Sequence, residues 1–252
     1  MNELAVQADA LLTQQTLILA IIALATGLVR GFAGFGAAMV FVPLASIFVA
    51  PQTAVITLWL MDFVIVLPLT VTGFRNCNWS EIRPLFAGAV IGVPLGVWTL
   101  ATTPEEPLKW IISILVLGAV VGLASGYRRR KPMPVPGIVA VGTAAGMGSG
   151  IAGLSGPPVI VFWAGSETTP AQMRMNIFAF FGLTGMMAGA MHLWFGLFTP
   201  ERLLLAALLA PAYALAIWSG SKAFGFASER AFRIFALSLC TAAAIMVMPV
   251  WS

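Results

Sequence analysis

Two clusters of glycine constrain this chain more than any other feature: Gly27-Leu28-Val29-Arg30-Gly31-Phe32-Ala33-Gly34-Phe35-Gly36, and Gly146-Met147-Gly148-Ser149-Gly150-Ile151-Ala152-Gly153-Leu154-Ser155-Gly156-Pro157-Pro158. Both lie inside long apolar stretches. Glycine costs about 0.8–1.0 kcal/mol relative to alanine in a helix interior, so such dense runs predict an interrupted helix. In lipid an interruption leaves backbone N–H and C=O groups without partners. It survives only where protein buries it or a wet cavity borders it. Two interruptions at matching positions are the sequence pointer to a transport site built from discontinuous helices.

Composition supports that setting. Of the 252 residues, 60% are hydrophobic and 9% charged, whereas a soluble domain carries about 25% charged residues. The chain reads as one polytopic membrane domain over 1–252. The N-terminal stretch carries Glu3 and Asp9 and no basic residue, so it lacks the positive region of a secretory signal, and the first helix is expected to be retained. The net charge of +4 reflects topology. The basic residues are not interleaved with aromatics on a soluble face, so no nucleic-acid partner is expected. Cys77 and Cys240 form no CxxC, and the single histidine leaves no His-rich metal centre. No metal and no cofactor are expected.

Apolar segments run over 16–49, 53–72, 82–100, 108–127, 135–165, 171–195, 203–220 and 231–250. A span needs about 20 residues. Six segments fit one crossing each, while the first and fifth are too long and hold the glycine clusters. Each of these two reads as a helix, an unwound turn and a shorter returning helix, either re-entrant or crossing twice. The chain also repeats itself. Gly27, Gly31, Ala33, Gly34, Pro51 and Arg83 recur 119 residues later as Gly146, Gly150, Ala152, Gly153, Pro170 and Arg202. Repeat 1 is placed at 16–127, a linker at 128–133 and repeat 2 at 134–251. With Arg128-Arg129-Arg130-Lys131 in the cytoplasm, an inverted second repeat puts Arg75, Arg83, Arg174, Lys222, Arg230 and Arg233 on the same side and only Lys109 and Arg202 opposite. The positive-inside rule favours that arrangement, with both termini outside. The expected fold is all-α, with two inverted repeats, each of three plain transmembrane helices plus one glycine-broken segment.

Several residues carry candidate chemistry. Gly148-x-Gly150-x-x-Gly153 matches a dinucleotide fingerprint as a string, but it lacks the strand and soluble βαβ unit that fingerprint needs. Gly92-x-x-x-Gly96 and Gly118-x-x-x-Gly122-x-x-x-Gly126 are read as close helix packing. Pro157 and Pro158 suit the first turn of a returning helix, whose N-terminus favours an anion. Arg30 precedes the first break. An arginine at the bilayer centre costs at least about 2.5–3.5 kcal/mol, which points to anion binding or to structural pairing with the broken turn. Asp62, the one acid deep in a plain span, is a counter-ion for Arg30 or a proton-coupling carboxylate. His192 is a second coupling candidate, although a lone histidine near the outer end of its span is more often simply solvated. Arg174 is a helix-end anchor or a substrate contact, and Asn176 a substrate or interhelical donor. Most of the tryptophans, Trp59, Trp79, Trp98, Trp194 and Trp251 among them, are expected in interfacial belts.

The glycine-broken repeats, the short Arg-bearing loops and the basic linker resemble the TauE/SafE family of sulfite and organosulfonate permeases, over about 16–251. The first repeat reads Gly34-Phe35-Gly36-Ala37-Ala38 before Val42-Pro43-Leu44, and the second Gly153-Leu154-Ser155-Gly156-Pro157-Pro158, without the family's triple glycine. The resemblance implies movement, often outward, of small anions such as sulfite, sulfonates or sulfoacetate through the inner membrane. The expected site is near the midplane: Arg30, Gly34, Phe35, Gly36, Gly153, Ser155, Gly156, Pro157, Arg174 and Asn176, worked by rocking of the two halves. The expected partners are that small anion and the bilayer, with a homo-oligomer left open. A membrane-embedded enzyme, a channel and an assembly subunit are the alternatives. No HExxH, GxSxG or paired carboxylate supports the first of these.

Overall fold

The computed structural model describes residues 14–126, 133–164, 166, 168–223 and 229–250. The N-terminal acids and the 128–131 linker lie outside the described residues. Within them the protein is all-helical. Ten helices follow in order: α1 (Gln14–Ala33), α2 (Ala37–Ala45), α3 (Pro51–Asn76), α4 (Trp79–Thr102), α5 (Glu105–Ala124), α6 (Val135–Ala152), α7 (Gly156–Trp163), α8 (Pro170–Trp194), α9 (Pro200–Ala223) and α10 (Glu229–Met246). Seven of them (α1, α3, α4, α5, α6, α8 and α9) are long and apolar enough to cross a membrane, and α10 contributes a shorter apolar stretch, Ile234–Met246.

The breakers in the sequence mark where helices begin. Pro51 and Pro170 occupy first-turn positions, where a missing N–H costs nothing. Asn78 caps α4 by accepting from the Ser80 N–H, and Thr169 caps α8 by accepting from that of Gln172.

Glycines decide which helices touch. A Cβ on Gly88, Gly92 or Gly96 of α4 would fall within 3 Å of the α6 backbone at Val139, Thr143 or Met147. The converse holds for Gly142, Gly146 and Gly150 of α6 against Leu85, Ala89 and Val93. Residue numbers rise together along this seam, so α4 and α6 run parallel. Helices α1 and α9 repeat the arrangement, with Gly27 and Gly31 against Tyr213 and Ile217 and with Gly220 against Leu28. Helices α3 and α8 run antiparallel, since Trp59 meets Gly189, Phe63 meets Gly185, Thr70 meets Gly182 and Gly73 meets Ala179. Backbones that close gain dispersion contacts that larger side chains would block. Gly118, Gly122 and Gly126 depart from the packing expected of them. Nothing lies within 4 Å of a Cβ at the first and third, and the second is 3.9 Å from Val161. A spacing of four permits close approach but does not supply the partner.

The short helix α2 is buried at every residue but Leu44 and packs among α1, α3, α5 and α10. Its companion α7 packs against α5, α6 and α8. Protein therefore surrounds both short helices.

Candidate functional site

Helix α1 ends where Gly34 donates its N–H to the Arg30 carbonyl at 2.8 Å. Gly34 (φ +75°) and Gly36 (φ +92°) then adopt left-handed conformations that L side chains resist, and α2 starts in a new direction. Gly153 (φ +71°) closes α6 in the same way, its N–H donating to the Ser149 carbonyl at 2.9 Å. The two turns come together: a Cβ on Gly153 would sit 3.4 Å from that of Ala38.

Between the turns and the α3–α8 pair lies a cavity of about 110 Å³, room for several water-sized groups. One wall is the start of α2 (Gly36, Ala37, Ala38) and another the start of α7 (Gly156, Pro157). The first turn of a helix carries N–H groups without intrahelical partners and a partial positive charge. Two such ends therefore meet at one cavity, although Pro157 and Pro158 supply no N–H themselves.

The cavity's ionic group is a triad. Arg30 grips Asp62 with two parallel bonds, Nε to Oδ1 and Nη2 to Oδ2, each 3.1 Å. Arg30 Nη1 also donates to the Gly34 carbonyl, tying the charge to the turn. The Tyr213 hydroxyl, from α9, donates to Asp62 Oδ1 at 2.7 Å. Asp62 lies 11 residues into the 26-residue α3, about 17 Å along an axis of about 39 Å and so near the helix midpoint.

Of the residues singled out from sequence, Arg30, Phe35, Gly36, Gly153, Ser155, Gly156 and Pro157 line this cavity, as do Asp62 and His192. Gly34 stands behind it, engaged through its carbonyl. Asn176 and Arg174 are elsewhere. Asn176 is fully buried. Its Nδ2 donates to Glu81 at 3.1 Å and its Oδ1 accepts from the Asn78 N–H at 2.8 Å, in a cluster completed by Trp163 Nε1 donating to Glu81 at 2.7 Å. That cluster ties the starts of α4 and α8 together. Arg174 is exposed.

Two cavity residues and one neighbour of Asp62 differ from what the sequence led us to expect. His192 is 1% exposed, not solvated, because the 195–199 loop folds Phe198 over it. Trp59 is not in an interfacial belt. It stacks on Phe63 at 4.6 Å and donates to the Gly185 carbonyl at 3.0 Å. Tyr213 went unnoticed, although a tyrosine inside an apolar span was itself a signal, since its hydroxyl needs a buried partner.

A bundle of apolar helices enclosing a polar site at a pair of helix breaks defines a multi-pass membrane protein. The chain belongs to the sulfite exporter TauE/SafE family, which matches it over residues 19–247. That is a family of transporters. Neither the curated proteins nor the solved structures offer a match to this chain.

Proposed function

We propose that this protein exports small sulfur-containing or organic anions, such as sulfite or sulfonates, across the inner membrane by alternating access at the cavity between the two glycine turns. The observation that carries this reading is the convergence of two helix N-termini, α2 and α7, on a cavity walled by Arg30. Asp62 balances the arginine while the site is empty, so the incoming anion meets helix ends and the guanidinium N–H groups left over from Asp62 and Gly34. Ser149 and Ser155 have hydroxyls with no intramolecular hydrogen bond among the described residues, and they supply oxygen contacts. Phe35 forms an apolar wall.

Helix direction supports an inverted duplication. The parallel α4–α6 and α1–α9 seams and the antiparallel α3–α8 pair are the relations that two oppositely inserted repeats generate. Trp163, at the end of α7, reaches Glu81 near the start of α4, and the Gln15 side chain bonds the Phe48 carbonyl beyond α2. Both short helices thus head back towards the side their hairpins came from, which supports re-entrant segments. A cysteine at 128–131 labelled only from the cytoplasm, with the C-terminus labelled from outside, is the expected orientation.

The test is sulfite and sulfonate binding to the purified protein, with flux in proteoliposomes. Saturable flux with trans-stimulation is expected, and an unaltered product separates transport from catalysis. Arg30→Gln should weaken binding about tenfold to a hundredfold, the loss of a charge-assisted hydrogen bond. A parent protein with neither binding nor flux of any such anion overturns the reading.

A further inference from the structure

The cavity has a second polar end that the anion site leaves unused. His192 lines it from α8, near that helix's C-terminus, and neither ring nitrogen has a hydrogen-bond partner. Its ring is held edge-on between two aromatic neighbours, Trp59 at 5.8 Å and Phe198 at 6.1 Å, both at 89°. An orphaned imidazole at 1% exposure forfeits its hydration for nothing in return, unless something entering the cavity satisfies it.

Its height is set by the α3–α8 pairing. Gly185 faces Phe63 and Gly189 faces Trp59, so Asp62 lies level with about residue 186 of α8. His192 is then on the order of 9 Å further along the axis. The wall between these two polar ends is Trp59, Phe63 and Leu58. A compact oxyanion held at Arg30 does not span that distance. A molecule that satisfies both ends has an anionic head, a short apolar middle and a second polar group.

We infer that His192 is a specificity residue that hydrogen-bonds the polar tail of an organic sulfonate whose head occupies the Arg30 end of the cavity. This rests on the transport reading above and deepens it. The second group accepts from, or donates to, a neutral imidazole, so an uncharged hydroxyl suffices.

The test compares 2-hydroxyethanesulfonate with ethanesulfonate, which share head and length and differ by one hydroxyl, with sulfite as reference. Affinities are measured on the parent protein and on His192→Phe, His192→Asn and Arg30→Gln, each shown to be folded at the assay temperature. The parent should prefer the hydroxylated sulfonate about tenfold. His192→Phe should abolish that preference while leaving ethanesulfonate and sulfite within about twofold, and His192→Asn, which keeps a donor and an acceptor, should retain part of it. Arg30→Gln should weaken all three ligands. No preference in the parent, a preference that survives His192→Phe, an equal loss of all three ligands in His192→Phe, or binding of sulfite alone each overturns the assignment while the transport reading stands. Binding of none of the three by the parent defeats the transport reading instead.

Discussion

Arg30 shows how one buried charge organises its surroundings. Its side chain is 10% exposed and that of Asp62 25%, and in such a setting an ion pair holds only if geometry and further hydrogen bonds offset desolvation. The two-point grip, the Gly34 carbonyl and the Tyr213 hydroxyl meet that demand. Removing one partner is worse than removing both. Asp62→Asn should destabilise the protein by about 3–5 kcal/mol by stranding the guanidinium, whereas Arg30→Gln with Asp62→Asn should recover much of the loss. Tyr213→Phe should cost about 1.5–3 kcal/mol, the worth of a hydrogen bond to a charged group. Unfolding of Arg30→Gln, Asp62→Asn, their double variant and Tyr213→Phe in detergent checks the cycle, and additive losses for Arg30 and Asp62 would mean the two are not coupled. Position 149, 119 residues after Arg30, carries serine and also lines the cavity. The ionic triad therefore has no counterpart at position 149.

At the scale of helices, glycine has two separate uses here, and the sequence distinguished them only in part. Gly34, Gly36 and Gly153 take left-handed turns; those in α4, α6, α1 and α9 let backbones touch. The dense glycine, followed in the second cluster by Pro157-Pro158, falls where α1 gives way to α2 and α6 to α7. Pro51, Asn78, Pro104, Pro170 and Pro200 stand at the starts or N-caps of α3, α4, α5, α8 and α9. What could not be read was which glycine row faces a partner, because helix neighbours are set by the whole bundle. The same gap hid Tyr213, a residue of the α1–α9 seam whose partner, Asp62, comes from α3, and left His192 looking like an interfacial residue until Phe198 covered it. The seam makes a sharp prediction. Gly88→Ala should severely impair folding, because its methyl would overlap the Val139 carbonyl, a backbone atom that cannot swing aside. Gly118→Ala has open space and gains helix propensity, so it should be neutral or stabilising by up to about 1 kcal/mol. Folded yield and melting temperature of the two variants decide it, and equal behaviour would mean the α4–α6 seam is not a close contact.

For the molecule as a whole, the seams bear on what moves. Each of these parallel pairs joins a helix from the N-terminal half of the chain to one from the C-terminal half: α1 with α9, and α4 with α6. The two halves of the chain therefore touch backbone to backbone along both seams, and rocking them as rigid bodies has to slide or part these contacts. The two glycine turns meet between the cross-paired units and border the cavity. If transport requires those turns to separate, joining them should stop it. Ala38 and Gly153 suit a disulfide, since a Cβ at 153 would lie 3.4 Å from that of Ala38, close to the usual Cβ separation of about 3.5–4.5 Å. Cysteine at 153 must accept a left-handed backbone at a cost of about 1–2 kcal/mol, so Ala38→Cys with Gly153→Ala serves as the uncross-linked control. In a background with Cys77→Ser and Cys240→Ala, the Ala38→Cys/Gly153→Cys protein should transport when reduced, stop on oxidation and recover with dithiothreitol. Anion binding by the oxidised form should persist from one side of the membrane only. Unchanged flux with the cross-link shown to be formed would mean that the turns stay together throughout the cycle, and that access to the cavity alternates through the α3–α8 pair instead.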